Sequence, residues 1–147
     1  MSWLYNKKVI NDISNLPNHE SLEGFVYKIT NIVTGQIYIG KKSLYSNLKK
    51  RIGVREKAAT KTRKTFNRIK KESDWQKYYG SSKELLADIT KLGKENFKRE
   101  IIELCCTKKY LSFCEVAWQI KLDVLKTNSY NGNILGRWYS RDIENCN

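Results

Sequence analysis

Apolar and polar residues alternate most cleanly in GFVYKITN, residues 24 to 31. Phe25, Tyr27 and Ile29 fall on one side and Val26, Lys28 and Thr30 on the other, which is the period-two pattern of a strand. QIYIG (36 to 40) reads as a second strand, and the Thr34-Gly35 pair between them as a two-residue hairpin turn. NFKREIIELC, residues 96 to 105, is a third strand candidate. Helical spacing appears in SSKELLADITKLG, where Leu85, Ile89 and Leu92 share a stripe, Ser81 and Glu84 suggest a capping box, and Gly93 marks the stop. KKYLSFCEVAWQIKLDVLK, residues 108 to 126, reads as a longer helix with Leu111, Cys114, Trp118, Leu122 and Leu125 on its apolar side. Residues 44 to 56 and 58 to 71 also suggest helices, and residues 1 to 23 an irregular arm. The expected fold is α/β (α+β), a small three-stranded antiparallel sheet flanked by helices. An arm over 1–21, a domain over 22–135 with a basic helical region at 41–71, and a tail over 136–147 make up the chain.

Charge changes this picture. The net charge is +13, and the run from Lys41 to Lys71 holds thirteen Lys/Arg against one acid, Glu56. The rest of the chain is nearly neutral. Such segregation points to a polyanion, with nucleic acid favoured over an anionic membrane surface because the block lacks an apolar helical face. A merely solvated face is the bland alternative. Phe66 and Trp75 among the cations could stack on bases, or Trp75 could be core. No run is apolar enough for a membrane span and the first residues lack a signal-peptide core, so a cytoplasmic protein is expected. Cys105, Cys106, Cys114 and Cys146 have no C-x-x-C spacing, and the single histidine, His19, is remote, so ordinary thiols are expected rather than zinc or disulfides.

Two side chains raise a chemical question. Tyr27 and Tyr38 lie eleven residues apart, which puts both phenols on one face for any hairpin loop with an even number of residues. A two-residue turn sets Tyr27 opposite Lys42, and Gly40 beside them leaves room for a ligand backbone. Ordinary packing tyrosines would fit the same pattern. Glu115 lies on the stripe with Leu111, Trp118 and Leu122, and an acid there needs a partner: either a basic side chain or a divalent metal.

These features together, GFVY, the tyrosine spacing, YIG, a following arginine, Glu115 in CEVAWQI, and the pair Tyr130-Asn131, resemble the GIY-YIG nuclease superfamily over about residues 22 to 135. The subgroup resembled is the small freestanding, phage-encoded homing-type (Seg-like) endonucleases. Phe25-Val26-Tyr27 stands where the family name would give Gly-Ile-Tyr. The resemblance implies a metal-dependent endonuclease acting on DNA, double-stranded by expectation, as monomer or homodimer, with Mg²⁺ or Mn²⁺ and no organic cofactor. By the same resemblance Glu115 holds the metal, and Tyr27 is a base made acidic by Lys42 and Arg51. Arg51, or Arg55 one turn on, steadies the phosphate. Tyr38 with Tyr79 or Tyr78 orients water or phosphate, and Asn131 orders the metal surroundings. Lys41, Lys49, Lys50, Lys61, Arg63, Lys64, Arg68, Lys70 and Lys71 supply DNA affinity. The short stretch after Asn131 leads us to expect no separate recognition domain. A non-catalytic nucleic-acid-binding module on the same fold is the alternative.

Overall fold

The computed structural model describes residues 1–146, and for Phe66, Asn67 and Arg68 the backbone only. The three anticipated strands form its centre. β3 (Gly24–Asn31) pairs antiparallel with β4 (Ile37–Ser43) on one side and with β7 (Phe97–Cys105) on the other. Two short strands extend the sheet, β1 (Trp3–Tyr5) and β2 (Lys8–Ile10), giving five strands in the order β2-β1-β7-β3-β4. The arm expected to be irregular is thus partly sheet. Trp3 anchors it, buried with Phe25 and Tyr27 and donating its indole N–H to the Trp75 carbonyl at 2.8 Å. Trp75 itself is core, not an exposed stacking platform.

The hairpin loop is longer than the two-residue turn expected. Thr30 faces Ile37, and the Asn31 side chain accepts from the amides of Val33 and Thr34 across a four-residue connection. Register therefore moves by two. Tyr27 faces Gly40, and Lys42 faces Phe25 instead of Tyr27. A shift of two preserves parity, so Tyr27 and Tyr38 do share a face.

That face and its opposite carry separate cores. Phe25, Tyr27 and Ile29 join Trp3, Trp75, Leu85, Ile89 and Phe97 on one side, covered by helix α2 (Lys83–Leu92). Val26 and Ile39 pack on the other side with Cys105, Leu111 and Cys114, under helix α3 (Lys108–Lys121). The cap of α2 is Ser82, not Ser81, and its hydroxyl accepts from the Leu85 amide at 3.3 Å. Helix α3 stops at Lys121, short of residue 126.

The basic block departs most from expectation. Helices were anticipated over 44–56 and 58–71. Instead β5 (Tyr45–Arg51) and β6 (Phe66–Glu72) pair antiparallel as a two-stranded ribbon, with a seven-residue helix, α1 (Val54–Thr60), at its far end. Helical spacing misled because the cations repeat densely enough to fit either period, while the paired Leu48 and Ile69 suit a strand. A small pair, β8 (Asn133–Ile134) and β9 (Trp138–Tyr139), and helix α4 (Ser140–Glu144) end the chain's described part. Among the described residues no helix is long and apolar enough to cross a membrane.

Candidate active site

The β4 strand forms one edge of the large sheet. An edge strand leaves alternate backbone groups without a ladder partner, and here residues 128–131, distant in sequence, supply them. Ile37 is bonded through the Asn128 carbonyl (3.2 Å) and the Tyr130 amide (2.8 Å). At Ile39, the Asn131 side chain both accepts from the amide at 2.9 Å and donates to the carbonyl at 2.8 Å. Asn131 acts as one rung of a missing strand. The next group in the series is Lys41, whose ammonium lies 3.9 Å from the Glu115 carboxylate. The carboxylate of α3 is thereby drawn to the edge of β4, beside Gly40.

Tyr27 reaches the same place from the opposite face. Its ring lies over Gly40, and a Cβ there would collide with the phenol oxygen. Glycine at 40 is what lets the hydroxyl cross the strand. Around Tyr27 stand Tyr38 (centroids 6.1 Å apart) and Tyr78 (5.9 Å, edge to face). Gly80, in the left-handed region at φ 90°, lets the Tyr38 ring approach its backbone, and Tyr38 shares a 3.2 Å hydrogen bond with Ser81. Tyr38 and Glu115 both line a polar cleft of about 310 Å³, with Ser81, Ser82, Asn131 and Asn133. A larger hollow, about 650 Å³, is apolar and lies between the end of α3 and α4, with Tyr27, Tyr38 and Tyr78 not among its lining residues. The smaller cleft is the one that joins the half-buried Glu115 carboxylate to the tyrosine cluster around Tyr27.

Electrostatics depart from the sequence expectation. Burial pushes the Tyr27 phenol well above its ordinary range, and Tyr38, Tyr78 and Glu115 push the same way. Tyr38 is likewise raised by burial. No cation acidifies Tyr27 here. Lys42 bonds Asp74 at 2.6 Å and lies 4.2 Å over the Tyr78 ring. Glu115 is also raised, by burial first, with Lys41 pulling it partly back. Its nearest cation is the Lys41 ammonium at 3.9 Å, which also donates to Ser112 at 2.7 Å. A loosely held lysine at that distance does not lock the carboxylate as a buried guanidinium pair would.

The structure brings together Tyr27, Tyr38, Gly40, Tyr78, Glu115 and Asn131, with Lys41 and Lys42 alongside. It leaves Tyr79 out. That ring turns to Arg99, whose guanidinium lies 4.0 Å from its centroid, so Tyr78 takes the place considered for either. Arg51 is the last residue of β5, six residues beyond Tyr45 and about 20 Å along the ribbon. Arg55 is exposed on α1. Lys49, Lys50, Lys61, Arg63, Lys64, Lys70 and Lys71 are exposed on the ribbon and its tip. The side chains of Arg68 and Phe66 lie outside the described residues.

Sequence reasoning missed Ser81 and Ser82 in the cleft and the Lys42–Asp74 pair. It also missed Arg99, buried at 4% exposure, which donates to the carbonyls of Gln76 (3.0 Å) and Tyr78 (2.8 Å) and so fixes the loop carrying Tyr78. An arginine within an apolar strand run, REII, was the available signal.

A divalent cation fits this cleft by donor chemistry. Among the described residues no three His, Cys, Asp or Glu side chains cluster as a metal cage. One carboxylate with neutral oxygen donors nearby suits an ion such as Mg²⁺, which keeps waters and takes phosphate oxygens.

The family model SegE_GIY-YIG, described as "Putative endonuclease segE, GIY-YIG domain", matches residues 3–143. No curated protein and no solved structure matches the chain.

Proposed function

The chain belongs to the segE-type GIY-YIG endonuclease domain family, and from that premise we propose that its cleft hydrolyses phosphodiester bonds in double-stranded DNA with one divalent cation. The observation that carries the reading is the polar cleft shared by Tyr38 and Glu115 at the edge of β4, with the Tyr27 phenol packed against Gly40 of the same strand.

Glu115 would hold the cation, Mg²⁺ or Mn²⁺, which when bound supplies Lewis acidity and a template for the scissile phosphate. Tyr27, neutral in the free protein, would accept a hydrogen bond from the attacking water. It would take that water's proton in its phenolate form, a minor form near neutrality because burial raises the phenol, after its own proton has left to solvent. Tyr38, tethered by Ser81, would orient the phosphate. Lys42, aimed over Tyr78 by Asp74, and Lys41 would offset charge growing on the phosphate oxygens. Asn131 keeps the strand that carries all this in register. Arg51 and Arg55 belong in this reading with the DNA-contacting cations of the ribbon, not at the reacting centre.

Incubating supercoiled plasmid with Mg²⁺, Mn²⁺ or EDTA tests the proposal. Nicked or linear product with a divalent cation, absent with EDTA, supports it. A protein that retards duplex DNA on a gel but never cuts it under either metal is the binding module instead.

A further inference from the structure

The ribbon of β5 and β6 has an unusual stability problem. Its strands pair only with each other, and from Ser46 to Arg51 every residue is exposed. An isolated two-stranded ribbon is at best marginal in water. Here Ser46 faces Lys71 and Asn47 faces Lys70, and among the described residues no salt bridge engages Lys49, Lys50, Lys70 or Lys71. Like charge accumulates along both strands, where Glu72 is the one acid of β5 and β6. A polyanion is the partner whose charge complements this element.

Shape narrows the partner. Two strands about 4.8 Å apart, each about 24 Å long, make a rod that B-DNA's major groove admits without deformation, whereas the minor groove would have to be widened. Alternation sorts the side chains into two faces. Tyr45, Asn47, Lys49, Arg51, Lys70 and, at the root, Glu72 share one, where Lys70 sits 4.2 Å over the Tyr45 ring. Leu48 and Ile69, 48% and 42% exposed, face each other on the other. Lys50 and Lys71 flank that apolar pair, whereas the first face sets the Asn47 amide, suited to adenine, beside Lys49, Arg51 and Lys70, suited to guanine.

The root of the ribbon is fastened to the cleft. β4 runs into it through Leu44, which is fully buried. The Ser73 amide and hydroxyl bond the carbonyls of Leu44 (2.8 Å) and Ser43 (2.6 Å). Lys42 and Asp74 tie the two roots together, and the chain then leads straight to Tyr78. A groove occupied by the ribbon therefore fixes where the backbone crosses the tyrosines.

Resting on the reading of the cleft as a DNA nuclease, we propose that the β5–β6 ribbon lies in the major groove with its Asn47–Lys49–Lys70 face toward the bases, so that it sets sequence preference as well as affinity.

The test is duplex binding in EDTA, which needs no cleavage, using full-length protein and a library of duplexes. Guanine N7 methylation, confined to the major groove, should weaken binding about tenfold or more at the ribbon's footprint. Prior occupation of the minor groove by netropsin should change it less than about twofold. Lys49→Gln with Lys70→Gln should reduce the slope of log K against log salt by about 2. Asn47→Ala should relax preference at one base position, and Leu48→Ser, on the other face, should not. Insensitivity to N7 methylation, inhibition by netropsin, or an unchanged salt slope would overturn the proposal. If groove binding holds but plasmid is never cut, the nuclease reading fails and the ribbon reading stands; the reverse pattern fails the ribbon alone.

Discussion

The Tyr27 ring passes over Gly40, its partner across the β3–β4 ladder, so closely that no side chain fits between the phenol oxygen and the strand. A tyrosine from the inner face of the sheet thereby reaches its outer edge, where Glu115 arrives from the opposite face. Gly40→Ala must push the ring off this line. Overpacking of this kind costs about 1–3 kcal/mol, and cleavage should fall by far more than the loss of folded protein explains. Thermal denaturation and plasmid cleavage, measured side by side, separate the two. A variant that melts and cuts like the parent would remove Gly40 from the account.

The raised Tyr27 phenol predicts a pH profile. Since burial keeps the hydroxyl protonated through neutral pH, its readiness to take up a proton grows only as pH rises toward its shifted value. Cleavage should therefore climb steadily from about pH 6 to pH 9 without a plateau near neutrality, and Tyr27→Phe should lose most activity across the range. Initial rates on plasmid at fixed Mg²⁺ check this. A flat profile above neutral pH, unaltered in Tyr27→Phe, would contradict it.

Glu115 should reveal itself in stability as well as in activity. Its folded carboxyl is raised by burial, so the fold is favoured where the group is protonated and loses that contribution as pH rises through the folded value. Glu115→Gln removes the charge. The melting temperature should rise by roughly 2–4 °C near pH 8, and the gain should vanish at acid pH, while cleavage is lost. Scanning calorimetry at the two pH values decides, and a destabilised variant at pH 8 would mean that the Lys41 contact outweighs burial.

Thiol chemistry tests the second core. Cys105 is fully buried and its thiol is pushed up to about 12 by burial and by its hydrogen bond with Cys114, which is also buried, whereas Cys106 and Cys146 are exposed. In native protein a colorimetric thiol reagent should titrate two thiols promptly, and all four after denaturation. Rapid native labelling of Cys105 would refute the packing of α3 on the sheet.

The sequence made the central sheet legible because its strands alternate plainly and parity survives errors of two in the loop. Tyr27 and Tyr38 were therefore rightly paired although Lys42 was set opposite the wrong residue. What escaped was long-range. Nothing local in WLY or KVI says that Trp3 will lie against Phe25 and draw the arm into the sheet. The basic block carried too little apolar patterning to distinguish helix from ribbon, since neither form buries much there. Glu115 was visible as an acid on an apolar stripe, but its place at the strand edge depends on Asn131 and the 128–131 segment running beside β4. The Tyr27 phenol was expected to be acidified by neighbouring cations, and burial wins instead.

The central claim is that Tyr27 and Glu115 act on one phosphate, and a double-mutant cycle in single-turnover plasmid cleavage tests it most directly. Tyr27→Phe and Glu115→Asp should each leave a measurable residual rate, and the combined variant should be much less impaired than the product of the two losses predicts. Losses that simply multiply, or a Glu115→Asp variant that cuts at the parent rate, would contradict it.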